Sequence, residues 1–219
     1  MSDARTETLQ RVRAALAADR GLRFTPPVLP PVLGGAPVAP AERYERFRAT
    51  LTKVGGRVER VASLEAARER VVEEVRARGV RRIALSDAPA LAALRARLAG
   101  LGLAGPESPR AALLTAELGV TLAQWGIAET GTLVLESARE RHRLISLLPP
   151  VHVALLPARA LLGTLGEALT AVRTSTGAPA SRTITFITGP SRTADIELTL
   201  VVGVHGPREL LVLVHDSPA

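Results

Sequence analysis

The feature that most constrains the fold is a regular alternation between short, continuous apolar segments and longer amphipathic ones. Apolar segments occur as RRIALSD at 81–87, VHVALLP at 151–157 and LLVLVH at 210–215. Continuous apolar runs of this length are typical of parallel strands that are buried on both faces. The alternation therefore predicts an α/β fold, with a mostly parallel open sheet and helices on both faces.

The segments between the strands have the periodicity and the terminal residues of helices. Ser63 is a favourable N-cap, and Gly79 a favourable stop, for a helix with a continuous apolar stripe. Further helices are predicted at about 40–54, 89–99 and 158–173, further strands at 57–62 and 183–188, and another short apolar run at 111–115. Strands and helices thus take turns along most of the chain.

The N-terminal part has a different character. Leu9, Val12 and Leu16 recur at helical spacing and predict an amphipathic helix over 3–18. The uncharged run that follows is long enough for a membrane helix, but its prolines exclude one. They are Pro26, Pro27, Pro30, Pro31, Pro37 and Pro40. We therefore expect an N-terminal helix and Pro-rich linker over 1–40, and an α/β domain over 41–219.

Charge and composition restrict the classes of partner. The formal net charge is +7, but arginine supplies nearly all of the basic charge and is interleaved with acids, as in EAARERVVEEVRARG. Because no basic stretch carries aromatic side chains for base stacking, the pattern argues against nucleic acid. The first residues lack the apolar core of a signal peptide. We expect a cytoplasmic protein without a membrane span.

The chain contains no cysteine, and its four histidines show no i, i+4 spacing. Thiolates and paired histidines are the usual ligands of iron–sulfur clusters and zinc. We therefore expect no metal site and no cofactor in this chain, and any iron–sulfur cluster would belong to another protein.

The segment GLGLAG at 100–105 matches the glycine pattern of dinucleotide-binding loops. That pattern requires a strand before it and a helix after it, so that the pyrophosphate meets the helix N-terminus. Here a predicted helix precedes the glycines, and PESPR follows them. The segment is therefore predicted to be a flexible loop and not a cofactor site.

In GIAETGTLVLES, at 126–137, the carboxylate of Glu129 is expected at a turn or strand edge. Thr130, Gly131 and Thr132 stand beside it, and their hydroxyls and bare backbone could orient the acid. One interpretation is a hairpin with a solvated glutamate. The other is a general acid/base or a nucleophile.

The segment GPSRTADIE, at 189–197, concentrates polar residues after a predicted strand. Ser191, Thr193 or Asp195 could cap a following helix, which would place free backbone N–H groups and Arg192 at the carboxyl end of that strand. Such a turn would bind a carboxylate or a phosphate. The alternative is that these side chains only cap the helix and that Arg192 pairs with an acid of the same segment.

Two histidines have contrasting surroundings. His152 alternates with valines on a predicted strand, which favours a structural role. His205 lies between Gly203 and Gly206, where a bare backbone permits close approach by a ligand or another chain. Both a structural and a binding role remain open for His205.

Four segments, GIAETGTLVLES, SLLPPVHVALLP, GPSRTADIE and GVHGPRELLVLV, occur in this order between residues 126 and 214. In sequence and spacing they resemble the lactate-utilisation domain (LUD) family, in particular its lactate utilisation protein C group. The resemblance spans about residues 80–215.

The resemblance implies a fold similar to the superfamily of sugar-phosphate isomerases and coenzyme A transferases. It also implies participation in the oxidation of L-lactate to pyruvate, alongside partner proteins that carry iron–sulfur clusters. Other members of the wider family carry a Cys-rich cluster-binding region, which this chain lacks. Electron transfer would therefore use the partners.

Two functions follow as hypotheses. The first is a non-redox subunit of a lactate-oxidising assembly that binds a small organic anion. The second is an independent enzyme acting on a phosphorylated or coenzyme A-linked small molecule, with Glu129 as acid/base or nucleophile. The predicted ligand-binding residues are Thr130, Gly131, Thr132, Ser191, Arg192, Thr193, Asp195 and His205. The sequence leaves open whether the chain catalyses a reaction alone.

Overall fold

The computed structural model describes residues 3–18, 37–140, 143–175, 181, 183–194, 200–203 and 205–216. The chain divides into two units, residues 1–32 and 33–219. In the first unit, helix α1 (Ala4–Ala18) lies where the sequence predicts it, and its apolar side chains are exposed. Most of the predicted Pro-rich linker lies outside the described residues, so the division at residue 40 stays a prediction.

The second unit contains the remaining helices and all the strands that the structure describes. The helices are α2 (Arg43–Lys53), α3 (Leu64–Ala77), α4 (Ala92–Arg97), α5 (Arg110–Leu114), α6 (Leu144–Leu147) and α7 (Leu165–Thr174). Single 3-10 turns lie at Pro40–Glu42, Pro89–Leu91 and Ala158–Ala160. The strands are β1 (Arg57–Val61), β2 (Arg82–Leu85), β3 (Gly102–Ala104), β4 (Leu118–Leu122), β5 (Trp125–Ile127), β6 (Thr132–Glu136), β7 (Val151–Pro157), β8 (Leu161–Leu162), β9 (Ile184–Ile187), β10 (Arg192–Ala194), β11 (Leu200–Val202) and β12 (Glu209–His215).

The main sheet has six strands in the order β1-β12-β7-β4-β2-β3, and every neighbouring pair is parallel. Along β7, Val153 and Leu155 face a core shared with α3 and α4, whereas Ala154 and Leu156 face a second core shared with α2. Helices α5 and α6 pack beside β2 on a third cluster. The predicted α/β fold with a mostly parallel, doubly covered sheet is confirmed.

A second sheet of four strands, in the order β8-β5-β6-β9, covers part of the main sheet and was not predicted. Strands β5 and β6 form the antiparallel hairpin that GIAETGTLVLES favours, and β6 continues antiparallel to β9. Strands β10 and β11 pair separately. The helix predicted at 158–173 is shorter, because the 3-10 turn and β8 precede α7.

The signals for the two ends of α3 were confirmed, whereas the predictions for GLGLAG and for the apolar run at 111–115 were wrong. The Ser63 hydroxyl accepts a hydrogen bond from Ala66 N at 3.1 Å, and Gly79 ends the helix with φ +62°. The GLGLAG segment is not a loop, because Gly102 and Leu103 pair with β2 as edge strand β3. The apolar run at 111–115 belongs mostly to α5.

No helix in the described ranges is long and apolar enough to cross a membrane.

Candidate functional site

A cavity of about 200 Å³ opens between α6, the end of β9 and the loop before β12. Its lining residues are Ser146, Leu147, His152, Thr185, Phe186, Ile187, Thr188, Gly189, Ser191, His205, Gly206, Pro207 and Leu210. The cavity brings together Ser191 and His205, which the sequence indicates separately. We call it the His152 cavity.

The position of the His152 cavity differs in part from the prediction. It does lie at the carboxyl end of a strand, since β9 ends at Ile187. However, β9 belongs to the second sheet, and the cavity meets the main sheet at the second residues of β7 and β12. Open parallel sheets usually bind ligands at the opposite, carboxyl edge.

His152 is the buried polar group of this cavity. Its ring is fully buried, and Nε2 lies 2.8 Å from the hydroxyl of Thr121 on β4. Among the described residues, Nδ1 has no hydrogen-bond partner. Burial lowers the pKa of His152 to about 4, so the ring is neutral at pH 7. Buried polar atoms nearly always have a partner, and His152 lines the cavity, so a ligand there is a candidate partner for Nδ1.

Ser191 is held in the cavity wall by its backbone. Its N–H donates to Pro207 O at 2.8 Å, and its carbonyl accepts from Gly203 N at 2.9 Å. A Cβ on Gly206 would lie 3.1 Å from the Ser191 Cβ, so the two segments approach closely. His205 is exposed beside them. Ser191 and His205 can therefore reach a ligand without rearrangement of the loops.

Two of the predicted hairpin residues reach the cavity through a chain of hydroxyl groups. Thr130 Oγ1 lies 2.7 Å from Thr132 Oγ1, which lies 2.7 Å from Thr188 Oγ1. Thr188 lines the cavity, and Thr132 is buried. Thr130 and Thr132 thus orient Thr188 and are not themselves in the cavity wall.

The Glu129 carboxylate contacts the start of a helix, whereas a catalytic acid or nucleophile would have to face a ligand. Its Oε1 accepts a hydrogen bond from Leu165 N at 2.5 Å, at the first residue of α7. Its own N–H donates to Gly163 O at 3.1 Å. A carboxylate at a helix N-terminus satisfies a free donor and favours the helix dipole. Glu129 does not line the His152 cavity, and its catalytic role stays a prediction.

Replacing Glu129 by Ala should lower the free energy of unfolding by about 1–2 kcal/mol, because Leu165 N loses a charged acceptor. Glu129→Gln keeps an acceptor oxygen and should cost less than about 1 kcal/mol. Urea unfolding followed by circular dichroism measures both variants. An unchanged midpoint for Glu129→Ala would show that this hydrogen bond does not support α7.

Gly131 serves the packing of the hairpin against α2. Its φ is +67°, and a Cβ at this position would lie 2.4 Å from Leu51 N. Its N–H donates to Ile127 O within the turn. No larger residue fits here without displacing α2.

The GPSRTADIE segment does not form the predicted helix cap. Arg192 and Thr193 lie in strand β10, so a helix starting after Ser191 or Thr193 is wrong. Asp195 lies outside the described residues. The Arg192 guanidinium donates to Val54 O at 2.6 Å and is not part of the cavity wall. Since Val54 is the C-cap of α2, Arg192 satisfies a free helix carbonyl.

Sequence reasoning missed Glu140, a buried carboxyl group near this cavity. Glu140 is 3% exposed, its Oε1 accepts from Leu122 N at 2.8 Å, and it bonds the side chain of Ser86. Burial raises the pKa of Glu140 to about 7. Glu140 lies in the charged run ARERHR, where nothing in the sequence distinguishes it from exposed neighbours.

A larger cavity, of about 390 Å³, lies at the carboxyl ends of β2 and β3. It combines the acids Asp87 and Glu107 with the base Arg95. Both acids have interaction partners. Because its lining mixes acids with a base, the larger cavity indicates a particular class of ligand less specifically than the His152 cavity does. No group of three or more His, Asp or Glu side chains in the described part of the chain could hold a metal ion.

The sequence matches the model of the LUD domain over residues 44–215, which is most of the chain. The chain belongs to the LUD domain family. The resemblance seen in the four segments is thereby confirmed.

This LUD domain is similar to curated bacterial proteins over part of their length. It is 40% identical over 114 residues to a Lactate utilization protein C of Exiguobacterium, a stretch covering 51% of this chain and 50% of that protein. It is 39% identical over 104 residues to the Lactate utilization protein C of Bacillus subtilis, covering 46% of this chain and 43% of that protein. The matched stretch thus spans about half the length of these relatives.

A solved structure is similar to this LUD domain in fold. It is the crystal structure of a duf162 family protein from Deinococcus radiodurans, with a TM-score of 0.61 and 24% identity. The match covers 82% of this chain and 100% of that one. The similarity supports the α/β fold, and the predicted relation to coenzyme A transferases stays a prediction.

Proposed function

We propose that this LUD domain is a non-redox member of a lactate-utilisation system and binds a small organic anion in the His152 cavity. The name of the two curated relatives, Lactate utilization protein C, supports membership of such a system. The observation that carries the site is the buried Nδ1 of His152, which has no partner among the described residues and belongs to a side chain that lines the cavity. Oxidation of L-lactate to pyruvate is the reaction that the system would perform.

The composition of the chain supports a division of labour within that system. These 219 residues contain no cysteine, so they offer no thiolate for an iron–sulfur cluster. We place the clusters, and the transfer of electrons, in partner proteins. The site of action of the assembly is the cytoplasm.

The size and polarity of the His152 cavity suit a short 2-hydroxy or 2-keto acid. A volume of about 200 Å³ holds a molecule of the size of lactate or pyruvate. The described lining contains hydroxyl and imidazole groups but no Lys, Arg, Asp or Glu. A neutral imidazole bonds a hydroxyl or carbonyl oxygen well. The hydroxyl or keto group would therefore lie at His152, and the carboxylate toward exposed His205.

Calorimetric titration of the full chain with L-lactate, pyruvate, inorganic phosphate and coenzyme A tests the site. We expect L-lactate or pyruvate to bind, and His152→Gln to weaken that binding at least tenfold, or about 1.4 kcal/mol. Ser191→Ala, in the cavity wall, should weaken it less. His215→Gln is the matched control, because His215 is also buried but does not line this cavity.

Two results would contradict the proposed site. One is that neither L-lactate nor pyruvate binds the wild type. The other is that His152→Gln keeps both its fold, measured by circular dichroism, and its full affinity. The assembly is tested separately by purifying the chain from its native cells and identifying co-purified proteins by mass spectrometry. Co-purification without any Cys-rich iron–sulfur protein would contradict the proposed partners.

A further inference from the structure

A second, smaller chamber lies behind the His152 cavity. Its lining residues are Thr121, Leu135, Glu136, Ser137, Glu140, Arg143, Ser146, Thr183 and Thr185. Ser146 and Thr185 also line the His152 cavity, so the two spaces share a wall. The chamber therefore adjoins both the buried Glu140 and the ligand cavity.

The small chamber has the volume for one water molecule, and polar side chains are among its lining residues. Its volume is about 10 Å³, close to the minimum that a single water requires. Two carboxyl groups and several hydroxyls line it, which offers the two to four partners that a buried water needs. A water here would contact groups on both sides of the chamber.

Thr121 and His152 connect the chamber to the ligand cavity. Thr121 lines the chamber, and its hydroxyl lies 2.8 Å from His152 Nε2. His152 lines the ligand cavity and has the unpartnered Nδ1. A hydroxyl can accept a proton and donate another at the same oxygen, and a neutral imidazole can accept one at one nitrogen and donate one at the other. The order Glu140, water, Thr121, His152 is thus a continuous sequence of proton donors and acceptors.

We propose that Glu140, one water in the small chamber, Thr121 and His152 form a proton relay that exchanges a proton between Glu140 and a ligand in the His152 cavity. The ligand end of the relay rests on the proposed function. The three side chains and the chamber belong to the chain itself, and their coupling can be measured without a ligand.

The transfer balances without any further reactant. The Glu140 carboxyl gives its proton to the water, the water gives one to Thr121 Oγ1, and the threonine hydroxyl proton passes to His152 Nε2. The Nδ1 proton of His152 then passes to a basic oxygen of the ligand. Glu140 ends as a carboxylate, His152 ends as the other neutral tautomer, and the ligand oxygen is protonated. In the reverse direction, the relay accepts the hydroxyl proton of a 2-hydroxy acid.

The surroundings of Glu140 allow its carboxyl group to be either protonated or ionised near neutral pH. Burial, and to a lesser degree the nearby charge of Asp87, raise its pKa to about 7. Hydrogen bonds from Leu122 N and the Ser86 side chain support the carboxylate form. Glu136 and Arg143 also line the chamber, and Arg139 pairs with Glu136 at 3.6 Å.

The ring of His152 need not hold a positive charge at any point. Burial lowers the pKa of His152 to about 4, far below that of Glu140. A neutral imidazole can still pass a proton by changing tautomer. His152 is therefore the element of the relay that touches the ligand, and Glu140 and Thr121 act through it.

NMR of the full chain, labelled at the histidine nitrogens and the glutamate carboxyl carbons, tests the relay in the absence of any ligand. Between pH 5 and 9, we expect both His152 ring nitrogens to change shift with one midpoint near 7, which is that of Glu140. Glu140→Gln should abolish this response. Thr121→Val should abolish it while the carboxyl carbon of Glu140 still titrates, and Thr121→Ser should restore it. His215, buried elsewhere, is the internal control.

A His152 response that persists in a folded Glu140→Gln or a folded Thr121→Val variant would overturn the relay. So would a His152 ring that does not respond to pH in the wild type. Because Thr121→Val and Thr121→Ser test the coupling independently of Glu140→Gln, misfolding of one variant does not prevent a decision. Failure of L-lactate and pyruvate to bind would contradict the proposed function but would leave this coupling intact.

Discussion

At pH 8, the Glu140→Gln variant is expected to be more stable than the wild type by about 3 kcal/mol, whereas at pH 4 the two should be equally stable. The pKa of Glu140 is about 7 in the folded protein, against an ordinary value of 4.5. Between these values the folded state binds more protons than the unfolded state, so the wild type loses stability as the pH rises. The interval between the two values corresponds to about 3 kcal/mol. A glutamine side chain does not titrate, so the Glu140→Gln variant does not lose stability in this way as the pH rises.

Urea unfolding at pH 4 and pH 8 measures this effect, and Glu74→Gln is the matched control. Glu74 is also buried, and burial raises its pKa, but hydrogen bonds from Arg78 and Arg70 outweigh burial and hold the pKa below its ordinary value. Glu74→Gln should therefore destabilise the protein at pH 8. Titration of His152 changes the stability of the wild type and of both variants equally, so its contribution cancels when they are compared at one pH. If Glu140→Gln did not raise the free energy of unfolding at pH 8, that result would show that burial does not destabilise the ionised Glu140 carboxyl.

Gly131→Ala should destabilise the protein by about 2–5 kcal/mol. Its φ of +67° strains any residue with a Cβ, which costs about 1–2 kcal/mol. The added Cβ would also lie 2.4 Å from Leu51 N and 2.7 Å from Leu51 Cα. These are backbone atoms of α2, so the hairpin or the whole helix must move, and such overpacking costs about 1–3 kcal/mol more.

Gly79→Ala separates the two contributions. Gly79 has a similar φ, +62°, but nothing lies within 4 Å of an added Cβ. We expect this control to lose only the conformational contribution, about 1–2 kcal/mol. Urea midpoints of the two variants give the comparison. Equal losses would mean that the contact between Gly131 and α2 is not tight in solution.

The main sheet could be predicted because its signals are local. Strands β2, β7 and β12 are continuous apolar runs, and Ser63 and Gly79 mark the ends of α3 through their own chemistry. The second sheet could not be predicted in the same way. β8 has two residues, and β9 joins β6 from a distant part of the chain. Such pairings depend on tertiary contacts and not on neighbouring residues.

The lining of the His152 cavity could be predicted only in part, for the same reason. The sequence indicated Ser191 and His205, which line the cavity, but it favoured a structural role for His152. A histidine on an apolar strand looks the same whether both ring nitrogens are satisfied or one is not. The contact of Arg192 with Val54 joins residues far apart in the sequence. No pattern within GPSRTADIE distinguishes that contact from anion binding.

The place of β12 in the main sheet has a consequence for biosynthesis. β12 lies between β1 and β7, yet it follows every other strand of that sheet in the chain. During translation, β1 has no neighbour to pair with until the ribosome has made residues 209–215. The nascent chain meanwhile exposes the edge of β7 and two open apolar cores. Exposed edges and apolar surfaces favour aggregation. We expect the growing polypeptide to depend on chaperones until β12 emerges.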